Sequence, residues 1–173
     1  MFKKVLALSL LLSVLTFSAC SGDDKEDEVV ANPSATKTAA SAEPVATYTQ
    51  GFYDLEGTTG GNTWRWMSPQ GIVKLKNTGK DMKLHILGDI PLNELKAAQG
   101  FKISLNGEIL EEFTVKENVD KQYEIPAAKQ GSGPTSELVI TADKSFVPKE
   151  INPKSGDDRK LSFSLRKITW ESK

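Results

Sequence analysis

A chain of 173 residues, 26% charged and 38% hydrophobic with a net charge of −1, is long enough for one well-formed hydrophobic core and lacks the basic excess that a nucleic-acid partner requires. Its single cysteine, Cys20, excludes an internal disulfide, and modification of that thiol would leave none for catalysis or metal binding.

Near the N-terminus stand Lys3 and Lys4, followed by an apolar run from Val5 to Phe17 broken only by Ser9, Ser13 and Thr16. A basic head before an apolar stretch of this length is the layout of a secretory leader, and the stretch is too short for a spanning helix. The run ends in Leu15-Thr16-Phe17-Ser18-Ala19-Cys20. Two small residues directly before a cysteine resemble the lipobox of bacterial lipoproteins. That resemblance implies removal of a signal peptide, residues 1–19, and a lipid bilayer as partner through an acylated Cys20. An acyl chain contributes about 0.8 kcal/mol per buried methylene, so a two-chain diacylglyceryl cysteine holds firmly where one chain is marginal. Ser21, not Asp, follows the cysteine, which by the same resemblance favours the outer membrane in a bacterium with two. Loss of Lys3 and Lys4 moves the net charge two units further negative.

Residues 20–46 read as the lipidated cysteine and a disordered tether. An acidic patch, Asp23-Asp24-Lys25-Glu26-Asp27-Glu28, precedes a stretch dominated by Ala, Thr, Ser and Pro, and neither has the apolar content to offset the entropy of ordering. A flexible segment of this length reaches roughly 25–30 Å. The folded domain is expected over residues 47–173.

From Tyr48 onward the pattern is alternation at period two. The runs are Tyr48–Leu55, Thr63–Met67, Gly71–Lys76, Met82–Leu87, Phe101–Leu105, Glu108–Val115, Lys121–Ile125, Ser136–Ala142 and Lys160–Trp170. Val73 and Leu75 alternate with Lys74 and Lys76, and Phe101, Ile103 and Leu105 with Lys102 and Ser104. One wet and one dry face per strand predicts an all-β, antiparallel β-sandwich of jelly-roll type with eight or nine strands. Asn106-Gly107 predicts a type I′ hairpin. Asn77-Thr78-Gly79-Lys80 is a second hairpin candidate, and Pro91–Gln99 predicts a turn or two of helix with Gly100 as its cap. In the last run Leu161, Phe163 and Leu165 share one parity and Ile168 and Trp170 the other, so a β-bulge is expected near Arg166-Lys167.

A spaced series runs through this part: Gly51-Phe52-Tyr53 with Glu56, Arg65-Trp66-Met67, Leu105-Asn106-Gly107, Tyr123-Glu124-Ile125-Pro126, Glu137-Leu138-Val139-Ile140, Phe146-Val147-Pro148 and Asp158-Arg159-Lys160-Leu161. The series is similar to the carbohydrate-binding-module-like jelly-roll domains that accompany bacterial glycosyltransferases and cell-surface glycan proteins. It implies the jelly-roll sandwich and a glycan as ligand.

Trp64 and Trp66 lie two apart, which on a strand puts both rings on one face and Arg65 on the other. Trp64 follows the Gly57–Asn62 loop and is expected to be a partly exposed ligand contact, with Trp66 in the core. Glu56, Arg65, Asp158 and Arg159 are expected to meet as a polar cluster, either a ligand site or a salt bridge clamping the first strand to the last. His85, the single histidine, has the parity of its strand's solvent face, and no Gly-x-Ser-x-Gly elbow accompanies it, so a serine-hydrolase triad is not expected. A glycosidic acid pair would have to come from Asp54, Glu56, Asp143, Asp157 and Asp158, which read as ordinary turn or strand-end residues. Calcium would suit Asp and carbonyl oxygens, but no EF-hand spacing occurs and no metal ligands are assigned. The favoured reading is non-catalytic binding of a glycan or another cell-envelope component. A structural or assembly lipoprotein contacting envelope proteins is the alternative, and a small glycoside-acting enzyme comes third.

Mass spectrometry of the mature protein is expected to show an acylated N-terminal Cys20. A soluble product with an unmodified cysteine would refute the lipobox reading.

Overall fold

Alternating apolar residues turn one face of nearly every strand into a common core. The computed structural model describes residues 45–173 apart from Thr59; the expected signal peptide 1–19, Cys20 and the expected tether up to residue 44 lie outside the described residues. The eight strands are β1 (Ala46–Gly57), β2 (Thr63–Lys76), β3 (Met82–Asp89), β4 (Gln99–Leu105), β5 (Glu108–Val115), β6 (Val119–Ile125), β7 (Thr135–Ala142) and β8 (Phe163–Ser172). Among the described residues helix is confined to the single turns α1 (Leu92–Leu95) and α2 (Pro148–Ile151) and a 3-10 turn, Ala127–Gln130. β1 opens at Ala46, the residue at which the expected tether ends.

All strands belong to one antiparallel sheet, ordered β5-β4-β7-β2-β8-β3-β6, with β1 also paired to β2. β2 merges two expected runs, Thr63–Met67 and Gly71–Lys76, into one strand. Pro69 has no N–H to donate, so the ladder breaks around it. Arg65–Met67 pair with β8, whereas Gln70–Lys76 pair with β7. β1 follows β2 from Thr63 to Leu75, absorbing the bend through three register shifts. Two half-sheets, β7-β4-β5 and β8-β3-β6, therefore diverge from one strand and enclose the core. The all-β antiparallel class is as expected, and its two layers are halves of one sheet, which gives a barrel-like form. Gly71 is required at the bend: a Cβ there would lie 2.5 Å from the Phe52 ring and 2.7 Å from Met67 Sδ.

The core between the halves holds Met67, Val73 and Leu75 from β2, Leu84 and Ile86 from β3, Ile103 from β4, Leu138 and Ile140 from β7, and Phe163 from β8. Phe101 meets Phe163 edge-on at 5.1 Å and stacks on Phe113 at 5.4 Å. Side chains of this kind contribute about 1.5–3 kcal/mol each on burial.

Among the described residues, no ladder joins β5 to β6, so that side of the barrel is closed by side chains. Glu111 on β5 takes Lys121 Nζ at 2.5 Å and the Tyr123 hydroxyl at 2.9 Å, both from β6, and the same ammonium lies 4.2 Å from the Phe113 ring centre. The hydrogen bond from Lys121 holds the Glu111 carboxyl below its ordinary range, and burial together with Glu111 raises the Tyr123 hydroxyl.

Several local expectations change. Residues 77–80 do not form a hairpin, because β8 stands between β2 and β3. Asn77 instead donates to the carbonyls of Gln130 and Gly133, at 2.6 and 2.9 Å, and accepts from Ser136 Oγ at 2.7 Å. Gln130, only 2% exposed, accepts from Thr78 N at 3.0 Å and donates to the Lys80 carbonyl. These bonds satisfy the backbone of a crossover between the two halves. Gly100 is not a helix cap but part of β4; α1 ends on Lys96, in the left-handed region at φ 56°. A Cβ on Gly100 would approach the Asp143 carboxylate to 2.9 Å.

The bulge in β8 is where the parity placed it. Leu87 pairs with Lys167 and Gly88 with Leu165, leaving Arg166 as the extra residue. The Asn106-Gly107 turn also stands, with φ of 51° and 83° at its two central residues. Asn106 is pinned as well, its amide donating to the Lys129 carbonyl and its oxygen accepting from Glu137 N, each at 2.9 Å.

Gly107→Val keeps open space around the new Cβ but forces a β-branched residue to positive φ, so a denaturant titration should show a loss of about 1–3 kcal/mol. The depressed Glu111 carboxyl adds stability that is present above its ordinary value of 4.5 and is lost as pH falls through its lower folded value. Amide exchange in β5 and β6 should therefore accelerate below about pH 4.5 relative to β2, and Glu111→Gln should remove that pH dependence.

Candidate functional site

Trp64 and Trp66 alternate with Arg65 and Met67 along β2. Met67 is fully buried in the core, so both tryptophans face outward. Trp66 is accordingly half-buried on the outer face and is not the core residue expected from its motif. Sequence alone could not separate the two faces, because the outer face here is covered too.

The cover is the segment from Phe146 to Leu161. Its ends are zipped by a two-way backbone bridge, Phe146 N to Leu161 O and Leu161 N to Phe146 O, each 2.8 Å. Lys149 N donates to the Asp157 carbonyl across the loop at 2.8 Å, and α2 fills its first half. A loop with joined ends that packs on itself is an Ω-type structure, a common carrier of function. Phe146 meets Trp66 edge-to-face, with centroids 6.1 Å apart. Between loop and sheet lies a cleft of about 410 Å³ lined by Glu56, Trp66, Phe146, Ile151, Asp157 and Arg159 among others.

Arg159 organises its polar side. Nη1 donates to Glu56 Oε1 at 2.7 Å, while Nε and Nη2 grip Asp157 with contacts of 2.8–3.2 Å. The guanidinium also lies 5.1 Å from the Tyr53 ring centre. Hydrogen bonds from Arg159 hold the Asp157 carboxyl below the usual carboxylate range, and those carboxylates in turn raise the guanidinium. Of the expected cluster, the structure unites Glu56 and Arg159, and does so by clamping β1 to the segment before β8.

Asp158 and Arg65 are not part of it. Asp158 is exposed, and its neighbour Asp157 takes its place because Asp157 closes a tight turn onto the Arg159 N–H at 3.0 Å. Arg65 shares parity with Met67, and lies 5.0 Å from the Tyr48 ring centre while donating to the Tyr53 carbonyl at 3.2 Å. Trp64 pairs across the β1–β2 ladder with Glu56. It is half-buried, and its buried indole N–H has no hydrogen-bond partner among the described residues, a state that costs about 1–3 kcal/mol.

Other candidates lie apart. His85 is half-exposed with Nε2 2.7 Å from Asp120 Oδ1. Asp143 bonds Lys144 and the Gly100 N–H at the far end of β7. Of the carboxylates Asp54, Glu56, Asp143, Asp157 and Asp158, the structure brings Glu56 and Asp157 onto one guanidinium. Among the described residues no group of three or more His, Cys, Asp or Glu is placed to hold a metal ion. Phe146 and Ile151 were missed as site residues, and Asp157 was named only as a candidate acid, because their role depends on the loop folding back onto Trp66; the Phe146-Val147-Pro148 element was the one local signal for the loop.

No protein-family model, curated protein or solved structure matches the chain.

Arg159→Met leaves Glu56 and Asp157 unpaired side by side. Chemical denaturation should show only a small loss, because the clamp is partly exposed, and trypsin should cut the loop at Lys154 faster than in the wild type.

Proposed function

We propose that the chain is a bacterial envelope lipoprotein, anchored through an acylated Cys20 and favouring the outer membrane, whose β domain binds a glycan or another envelope component without transforming it. The observation that carries this reading is the cleft over Trp66, an aromatic floor and wall beside fixed polar groups, the composition expected of a site that receives a ring with one apolar face. The resemblance of the lipobox and of the spaced jelly-roll series supports the same reading from the sequence side.

Two features favour binding over hydrolysis. A glycosidic acid pair needs one carboxyl kept protonated near neutrality. Glu56 and Asp157 instead share the Arg159 guanidinium, which lowers the Asp157 carboxyl. His85, the single histidine, is engaged by Asp120, away from the cleft lining.

A glycan array probed with the full chain in detergent is the test. Wild-type protein is expected to retain at least one glycan, and Trp66→Ala to lose it by more than about tenfold while keeping its β-sheet circular dichroism. An array without any signal would turn the reading towards a structural or assembly lipoprotein that contacts envelope proteins.

A further inference from the structure

We infer that the Trp66 cleft selects a saccharide bearing free amines, a protonated amino sugar, over neutral and acidic ones. This deepens the glycan-binding reading above and rests on it.

The argument is one of charge and of which donors remain. Glu56, Glu94 and Asp157 line the cleft against a single guanidinium, Arg159, so the lining carries two excess negative charges. Lys149 and Lys154 belong to the covering loop but do not line the cavity. Among the described residues Arg159 is the one cation in the lining, and its Nε, Nη1 and Nη2 each donate to Asp157 or Glu56. An acidic sugar would have to displace those carboxylates to reach the guanidinium.

An ammonium group meets the opposite situation. Glu94, on α1 at the cavity rim, is exposed and, among the described residues, has no side-chain hydrogen bond or ion pair. Asp157 is held ionised on one side of the cleft by its bonds to Arg159. Trp66 and Phe146 offer aromatic surface whose electron-rich faces attract both C–H groups and cations. Asn152 and Ser155, also in the lining, supply neutral partners for ring hydroxyls. An amino sugar satisfies all three at once: an apolar ring face on Trp66, hydroxyls on Asn152 and Ser155, and an ammonium directed to Glu94 and Asp157.

Isothermal titration of the full chain in detergent tests this with four probes: a β-1,4-linked glucosamine tetramer, its N-acetylated counterpart, tetragalacturonate and tetralysine. The glucosamine tetramer is expected to bind at least about tenfold more tightly than the N-acetylated one, with no heat from tetragalacturonate, and to weaken as salt is raised. Glu94→Gln, which removes a charge with no structural partner, should lower that affinity several-fold without changing the melting temperature, and Trp66→Ala should abolish it. Equal or tighter binding of the N-acetylated or acidic tetramer would overturn the amine selection and leave the glycan reading in place. Equal binding of tetralysine would overturn the saccharide assignment. Affinity for glucosamine unchanged by both Glu94→Gln and Trp66→Ala would place the site elsewhere and overturn the proposal. Silence from all three oligosaccharides would remove the glycan reading itself.

Discussion

The break in the β2 ladder at Pro69 is the constraint on which the rest of the domain depends. A proline cannot donate, so one strand serves two partners in succession, β8 through Arg65–Met67 and β7 through Gln70–Lys76. Once β2 is shared, the sheet must split, and its halves close on each other around Met67, Val73 and Leu75. Everything downstream follows from this geometry. Residues 77–80 become a crossover, with Asn77 and Gln130 satisfying its backbone, and the far side of the barrel is left to the Glu111–Lys121–Tyr123 contact.

The same division creates the outer face that the Phe146–Leu161 loop covers. β8 pairs with the first half of β2 only over a short stretch, and Ser162 is consumed in bonds to the Met67 and Ser68 carbonyls, at 2.9 and 2.7 Å. The chain just before β8 is thereby fixed against β2, and the loop ahead of it is laid over Trp66. Arg159 then locks the loop to β1 through Glu56. The salt bridge and the cleft are one construction: the clamp positions the wall of the cleft. A clamp roughly one-third exposed at each partner contributes modest energy on its own. Its value lies in fixing the loop against the sheet.

The two carboxylates of the cleft have a structural reason to be close. Glu56 and Asp157 are close because a guanidinium holds them, and that same guanidinium keeps Asp157 ionised. Such a pair suits the recognition of donors, ammonium groups above all, better than it suits proton transfer to a leaving group.

Much was already determined by the sequence. Period-two alternation reports directly which side chain is dry, so strand positions and the all-β class were legible, as was the bulge at Arg166, where the parity of Leu165 and Ile168 conflicts. Asn106-Gly107 was legible because positive φ at two adjacent positions tolerates few residues. The leader and an acylated Cys20 are proposals that rest on the lipobox resemblance. What only the tertiary structure decided is everything that depends on which segments meet. Trp66 and Met67 look equally apolar in a strand, and only the covering loop shows that both faces are sheltered, one by the core and one by the cleft. Asp157 and Asp158 are adjacent and alike, and the tight turn onto Arg159 chose the first. Asn77-Thr78-Gly79-Lys80 has the composition of a hairpin, but β8, almost ninety residues further on, takes the place beside β3. Local patterns encode burial and turn geometry; pairing between distant strands is set by the global closure of the sheet, which no window of sequence contains.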